Sequence, residues 1–413
     1  CEKFGLLGAH QHGFRRLRST STALLTAVSQ WRSQKAAKKF QGVLMFDLSA
    51  AYDLVDREVF LAKANIYGIK GIALAWLQSY LSDRKQVVQV NDARSSPSSL
   101  AFGIPQGSSC SCLVFAIFVS DIGDWLKDSQ AVAYADDTFI WVEADTMDEL
   151  RQKLENEGKQ VLSYFESNRF VTNPTKTGLL VLRPKQSTNS RLVIDLAGAA
   201  VTEEVDVKLL GTWVNNSLKF NKHIEKLTSE LNYGVSLIRR LRHSLDRRTL
   251  KMIANGIIMS KVRYCASVYG PDFVRHDDTD PTSTRLQALQ KTQNNVLRLL
   301  TGNKRTDHTR IKDMLDETGL LSVNQVIAHV CLMDYWKART FDVPYLGAAL
   351  ERRNNCNRTL RSDSNEVLTS ATNEIYSNTV EKLWNRASDR FKKTNLLVVA
   401  KAEAKKLVQT LPI

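Results

Sequence analysis

The stretch AVAYADDTFIWV, residues 131–142, sets two adjacent carboxylates, Asp136 and Asp137, between two apolar runs. An apolar run, a short polar turn and a second apolar run read as a β-hairpin, with strands at 131–135 and 139–142 and the acids at its tip. Alone, an Asp-Asp pair at a turn is ordinary solvated turn chemistry. A second acid changes that reading: the apolar run at 43–46 reads as a short buried strand, and Asp47 sits at its end. If the two segments are neighbours in one sheet, three carboxylates meet, and they repel one another unless a cation lies between them. Oxygen ligands in this number suit Mg²⁺, which takes one or two carboxylates and completes its shell with water and substrate phosphates. Two such ions roughly 3.5–4 Å apart form the clamp used for in-line displacement at phosphorus.

The rest of the composition fits a partner with many negative charges. The chain has 413 residues, a length that suits two to three domains at about 150 residues each. Its 57 Lys and Arg against 43 Asp and Glu leave a net charge of +14, which points to a polyanion such as nucleic acid. With 19 Gly and 8 Pro, it falls well below the roughly 12% of average usage, which argues against a linker-dominated or low-complexity chain. The six cysteines are scattered and read as reduced, which suits an intracellular compartment. The longest apolar run, CLVFAIFV at 112–119, is far shorter than the roughly 18 residues of a membrane span, so no membrane partner is expected. The chain begins at Cys1 without a signal pattern and reads as a piece of something longer.

Along the chain, a polar and basic helical stretch over 19–40 leads into the 43–46 strand. Asp56 reads as the N-cap of a helix starting at Arg57, and Gly68 and Gly71 separate that helix from a second one. QVVQV at 86–90 reads as a strand, 91–102 as a loop and 112–119 as a helix. Residues 147–168 carry helical spacing, and two or three more strands are expected by Val214. Residues 41–214 therefore form one α+β sheet domain. Beyond Lys219 helices dominate: 219–263 carries eleven Lys or Arg against three acids, with Ile224, Leu227, Leu231, Val235, Ile238 and Leu241 as an apolar stripe. After the acidic loop 277–284, three or four further helices are expected.

The ordered set FDLSAAYD (46–53), GIPQGSSCSCLVFAIFVSDI (103–122), YADDT (134–138), NPTKT (173–177) and LLGTW (209–213) resembles reverse transcriptases of non-LTR, LINE-type retrotransposons. HGFRRLRSTSTA (12–23) looks like the fingers motif before the palm, and LLSVNQVIAH and VEKLWNRASDRFKK are similar to the region C-terminal to the polymerase in the jockey and Rex-like branches. The resemblance implies a polymerase right hand: partial fingers over 1–40, a ferredoxin-like palm sheet over 41–214 with finger insertions, a helical thumb over 215–302 and a helical C-terminal region over 303–413. It makes Asp47 and Asp136 ligands of two Mg²⁺ ions, or of Mn²⁺ in their place, with Asp137 beside them and the Leu48 carbonyl as an extra ligand. Tyr52 stands where the family carries an aromatic that collides with a ribose 2′-OH, although a core tyrosine is the plainer reading. Gln106 and Gly107 match the nucleotide-cradling loop, where the alternative is a plain turn before a helix. Lys176 matches a lysine near the leaving pyrophosphate, or is a solvated surface lysine.

Arg15, Arg16 and Arg18 are triphosphate or template candidates, Leu210 and Gly211 resemble the turn that grips the primer end, and Lys222, Lys226, Arg239, Arg240, Arg242, Arg247 and Arg248 would lie along duplex phosphates. The partners implied are an RNA template, a DNA primer and a deoxynucleoside triphosphate, with a nuclear site of action.

Cys112 replaces a proline common after the serine of the GVPQGS pattern, and Arg57 stands where a histidine is frequent. The earliest finger elements and the endonuclease of such proteins have no counterpart in this stretch, and His10 and His12 form only an H-x-H. Two rival readings stand beside the polymerase: a truncated or domesticated relic that binds nucleic acid without catalysis, and a metal-dependent nuclease, which leaves Tyr52 and the Gly-Ile-Pro-Gln-Gly loop unexplained.

Overall fold

The computed structural model describes residues 4–48, 50–172, 176–184, 191–341, 350–352, 368–370 and 375–413. Ser49, residues 173–175 of NPTKT, Cys1 and Cys356 lie outside the described residues. The chain separates into two compact units, Cys1–Ala23 with Gln34–Leu210, and Leu24–Ser33 with Gly211–Ile413. Helix α1 (Thr20–Ala36) contributes its middle to the second unit and its two ends to the first. That middle carries Leu24, Leu25, Val28 and Trp31, all buried, on a helix that its polar and basic composition alone would place at the surface.

The first unit is built on β1 (Phe40–Phe46), a strand buried along most of its length because both of its edges are paired. Helices α2 (Ala51–Leu54), α3 (Arg57–Ile66) and α4 (Ile72–Leu81) come next. Asp56 caps α3 as its sequence position suggests, accepting hydrogen bonds from the Glu58 and Val59 amides and from Arg169. The expected strand 86–90 is instead two pieces of an exposed ribbon. The ribbon consists of β2 (Lys85–Gln86), β3 (Gln89–Val90), β4 (Ala93–Arg94) and β5 (Ser98–Ser99), so the 91–102 loop is partly strand. The ladder breaks because the Ser95 hydroxyl takes the Val88 amide, and Val87, Val88 and Val90 stay exposed.

Helices α5 (Ser109–Phe118) and α6 (Ile122–Trp125) precede the hairpin β6 (Gln130–Tyr134) and β7 (Asp137–Ala144), then α7 (Met147–Ser167). Thr146 caps α7 by accepting from the Glu149 amide, while the Glu149 carboxylate takes the Asp145 amide in return. Strands β8 (Gly178–Leu182), β9 (Val193–Leu196), β10 (Ala199–Glu204) and β11 (Asp206–Leu209) complete the unit. Ala197 and Gly198, both at positive φ, make the two-residue turn from β9 to β10 that suits a twisted hairpin.

The sheet runs β6-β7-β1-β8-β10-β9, all antiparallel except the β8–β10 pair. Leu44 and Phe46 of β1 and Ile140 and Val142 of β7 point into one core with Phe115 and Phe118 of α5 and Leu150, Leu154, Val161 and Phe165 of α7. The unit is thus an α+β layer of helices on a mostly antiparallel sheet, as its alternating pattern requires.

The second unit opens with β12 (Thr212–Asn215), so five strands rather than two or three lie between α7 and α8 among the described residues. Three of the five are only four residues long, the lower limit at which a period-2 pattern is informative. Helices α8 (Asn221–Leu241) and α9 (Arg247–Ala254), a π-helical turn at Asn255–Met259, α10 (Ser260–Arg263) and α11 (Ala266–Tyr269) come after it. The α8 stripe is buried as expected from Ile224 to Ile238. After the acidic loop the described residues carry six α-helices rather than three or four: α12 (Thr284–Thr301), α13 (Ile311–Thr318), α14 (Val323–Thr340), α15 (Ile375–Arg386), α16 (Asp389–Lys393) and α17 (Leu397–Val408). Their starts are marked by caps, Ser283 on α12, the reciprocal Ser322–Gln325 box on α14 and Ser388 on α16. Cys110, Cys112, Cys265 and Cys331 are free thiols, and no described helix is long and apolar enough to cross a membrane.

The buried Asp56 carboxylate ties the α3 terminus to Arg169, so Asp56→Ala should cost about 2–3 kcal/mol, with Asp56→Asn costing less because it keeps an acceptor for the cap. Urea unfolding midpoints check this; an alanine variant with an unchanged midpoint contradicts it.

Candidate active site

The β1–β7 register ends on the pair Phe46 and Thr138. Asp47 comes directly after that pair and Asp137 directly before it, so the register brings both carboxylates to one end of adjacent strands. Asp136 joins them at the hairpin tip, where Tyr134 pairs with Asp137. Ala135, at the tip, holds the left-handed backbone at φ 57, uncommon for a residue with a side chain. The strap of residues 10–13 pins that geometry. His12 donates its amide to the Ala133 carbonyl at 2.7 Å, Ala133 donates to His10 at 2.9 Å, and the buried Gln11 side chain accepts from the Ala135 and Gly13 amides. A Cβ on Gly13 would stand 2.5 Å from the Ala135 nitrogen, so only glycine lets the strap lie this close to the tip.

The electrostatics result from the crowding. The Asp137 carboxyl is pushed above its ordinary range by partial desolvation and then by the charges of Asp136 and Asp47. Lys176 Nζ lies 3.7 Å from Asp47 Oδ2, and both side chains are more than half exposed, so this contact is a solvent-screened one of small energy. Leu48 is buried and forms an isolated antiparallel bridge with Thr172, which fixes the chain just beyond Asp47.

Tyr52 is half-buried on α2 and stacks on Phe115 at 4.9 Å, nearly coplanar. Its hydroxyl pKa is raised by burial, by Cys112 and by the charge of Asp136, which places its polar end beside the acids. The Gly-Ile-Pro-Gln-Gly loop is laced to α2: Gly103 donates to Val55 and Ile104 to Tyr52, and Gln106 Nε2 donates to Asp53 Oδ1 at 2.9 Å. Gly107 has φ +83, with open space where a side chain would begin. Arg57, at a position where histidine is the commoner residue of the motif, holds this loop from below by donating to the Leu100, Phe102 and Gly103 carbonyls. Arg18 donates to the Ala9 and Gln11 carbonyls and Arg15 to the Gly8 carbonyl, so both fasten the strap.

Gln11 and Arg57 are the residues that sequence reasoning did not assign a role here. Only the approach of distant segments reveals what they hold. Where the chain passes from the first unit to the second, Leu210 and Gly211 take successive left-handed conformations at φ 44 and 78. Lys222 sits over the Trp213 ring at 4.1 Å, while Lys226, Arg239, Arg240, Arg242 and Arg248 are exposed. Arg247 departs from the expected phosphate row: it donates to the Leu300 carbonyl and pairs with Glu317, and so ties α9 to α12 and α13.

Because the folded chain holds the Asp137 proton more tightly than the unfolded chain does, this group lowers stability as pH rises from the usual aspartate range through the raised value. Asp47→Asn removes one of the repelling charges and should move the Asp137 titration back toward about 3.9, the ordinary aspartate value. Carboxylate NMR titration of Asp137 reads this directly, and an unmoved titration would show that the two groups are not coupled.

With this geometry in place, residues 2–214 match the family model described as reverse transcriptase (RNA-dependent DNA polymerase). The chain is 24% identical over 260 residues to a probable RNA-directed DNA polymerase from transposon BS of Drosophila melanogaster, covering 60% of this chain and 28% of that protein. It is 22% identical over 308 residues to the probable RNA-directed DNA polymerase from transposon X-element of the same organism, covering 73% and 33%. The matched region therefore spans about a third or less of these curated relatives. Among solved structures, a telomerase from Candida albicans in complex with a fragment of telomeric RNA is similar with a TM-score of 0.32 and 15% identity, covering 76% of this chain and 50% of that one. The chain belongs to the reverse transcriptase family, with non-LTR, LINE-type transposon proteins as its relatives.

Proposed function

We propose that this chain is the polymerase part of a non-LTR retrotransposon protein and copies an RNA template into DNA by nucleotidyl transfer from a deoxynucleoside triphosphate to a primer 3′-OH, acting in the nucleus. The observation that carries the reading is the meeting of Asp47, Asp136 and Asp137 at the end of β1 and the hairpin tip, with the Asp137 carboxyl raised by burial and then by its two acidic neighbours. In this reading residues 1–40 are fingers, 41–214 palm, 215–302 thumb and 303–413 a helical C-terminal region.

Among the described residues, no three His, Cys, Asp or Glu side chains are grouped so as to hold an ion by protein ligands alone. Mg²⁺ is commonly held by one or two carboxylates and completed by substrate phosphates and water. Asp47 and Asp136, with the Leu48 carbonyl, would hold two Mg²⁺ ions, or Mn²⁺ in their place, beside Asp137. When bound, the ions lower the pKa of the attacking hydroxyl and offset charge on the departing pyrophosphate. Lys176, near Asp47, is placed to offset leaving-group charge or to supply a proton to it. Tyr52, braced by Phe115, presents its ring as a floor that a 2′-OH would strike. Gln106 and Gly107 offer a side-chain amide and open backbone to the incoming nucleotide. Arg18, which fastens the strap, is the candidate triphosphate contact from the N-terminal side; reaching a phosphate would require it to exchange its carbonyl partners.

Primer extension on an RNA template with deoxynucleotides and Mg²⁺ tests the reading. Extension should fall by about a thousandfold in Asp136→Asn, the loss expected when a metal ligand that stabilises the transition state is removed. Duplex binding without extension by the wild-type chain would favour nucleic-acid binding without catalysis. Tyr52→Ala should raise ribonucleotide incorporation relative to deoxynucleotide by about tenfold or more, the value of a steric contact of 1–3 kcal/mol; an unchanged ratio would leave Tyr52 as a packing residue only.

A further inference from the structure

In the second unit, away from the carboxylates, a cavity of about 320 Å³ is lined by Lys251, Asn255, Arg263, His329, Lys401 and Lys405, with Leu321 and Val326 in its walls. Four cations converge on it from α9, α10 and α17, and no acidic residue lines it. Neighbouring cations are neutralised in the usual way: Lys261 pairs with Glu230, Lys406 with Glu403 and Arg247 with Glu317. Among the described residues, no such pair is made by Lys251, Arg263, Lys401 or Lys405. Like charges gathered in a concavity raise the local potential and draw in a counter-anion.

The site is built into the fold. Lys401 and Lys405 are one turn apart on α17, next to the buried stripe of Ala400, Ala404 and Val408, and both line the cavity mouth with their side chains exposed. Lys251 reaches over Gly319, its Nζ 3.5 Å from where a side chain there would begin. Asn255 opens the π-helical turn that joins α9 to α10, a local widening often found where a helix serves a ligand. Burial lowers the pKa of the Arg263 guanidinium and of the His329 imidazole, and the charges of Arg263 and Lys401 lower that of His329 further, against a hydrogen bond with the Lys401 backbone.

We propose that this cavity is a binding site for a compact anion bearing two or more phosphates, with Lys251, Arg263, Lys401 and Lys405 as its charge partners and Asn255 as a neutral hydrogen-bonding group. The cavity is concave and of small-ligand size, which favours a clustered oligophosphate over an extended backbone. Such a group occurs at the 5′-triphosphate end of an RNA and in free oligophosphates. The inference does not depend on the polymerase reading.

Isothermal titration of the full chain with inorganic tripolyphosphate at low salt tests it. The wild type should bind at a single site, and Lys401→Gln/Lys405→Gln should weaken binding by about tenfold or more, as the loss of two phosphate contacts implies. Lys291→Gln/Lys312→Gln removes the same charge from exposed positions outside the cavity and should leave binding within about twofold of wild type, because diffuse charge contributes little to a localised contact. No binding by the wild type, or equal loss in both double variants, overturns the site. Circular dichroism confirms that both variants stay folded. A second arm compares RNA bearing a 5′-triphosphate with the same RNA bearing a 5′-hydroxyl. A preference for the triphosphate that Lys401→Gln/Lys405→Gln abolishes identifies the RNA end as the ligand. Tripolyphosphate binding with no such preference identifies a free oligophosphate.

Discussion

The antiparallel pairing of β1 with β7 is the constraint on which the first unit depends. Because side chains alternate along a strand, a slip of one residue would turn Leu44, Phe46, Ile140 and Val142 out of the core and separate Asp47 from the hairpin acids in the same step. Packing therefore fixes the site. Burial of the apolar residues against α5 and α7 holds the register, and the register holds like charges together that would otherwise move apart.

The remaining contacts around the acids limit how far they can relax. Gln11 and Gly13 clamp the left-handed tip, Arg57 collects three carbonyls beneath the Gly-Ile-Pro-Gln-Gly loop, and Gln106 ties that loop to Asp53. Tyr52 connects the two halves of this frame, packed on Phe115 and turned toward Asp136. Rigid support under a cluster of repelling groups is what a site needs if an ion and a nucleotide are to supply the missing attraction. The Asp137 carboxyl is raised first by its partial burial and then by the charges of Asp136 and Asp47.

Much of this is legible in the chain. The hairpin, the β1 strand, the Asp56 cap and the amphipathic face of α8 come from short-range patterns, while the expectation that Asp47 belongs with Asp136 and Asp137 rests on the ordered motifs that resemble reverse transcriptases. Features set by long-range approach are not legible. Nothing local marks Gln11 as the clamp of a hairpin more than 120 residues away. Leu24–Ser33, inside a polar helix, cannot be assigned to the second unit until its neighbours are known. The broken ribbon at 85–99 turns on the contacts of Ser95 with Val88, and strands β9, β11 and β12, four residues each, sit at the lower limit at which alternation is informative. Arg247 looks like its basic neighbours because its carbonyl and Glu317 partners come from elements far along the chain. The basic cavity is equally hidden, since its cations are spread from Lys251 to Lys405 along the chain and meet only through the packing of α9, α10, α14 and α17.

If the carboxylate cluster exists to share a cation, Mg²⁺ should stabilise the folded chain through those side chains. Thermal unfolding at fixed ionic strength, with and without Mg²⁺, measures this in the wild type and in Asp47→Asn/Asp136→Asn. The expected result is a rise in Tm with Mg²⁺ for the wild type and little or none for the variant. The same shift in both, or no shift in the wild type, would mean that the acids meet for some reason other than holding an ion.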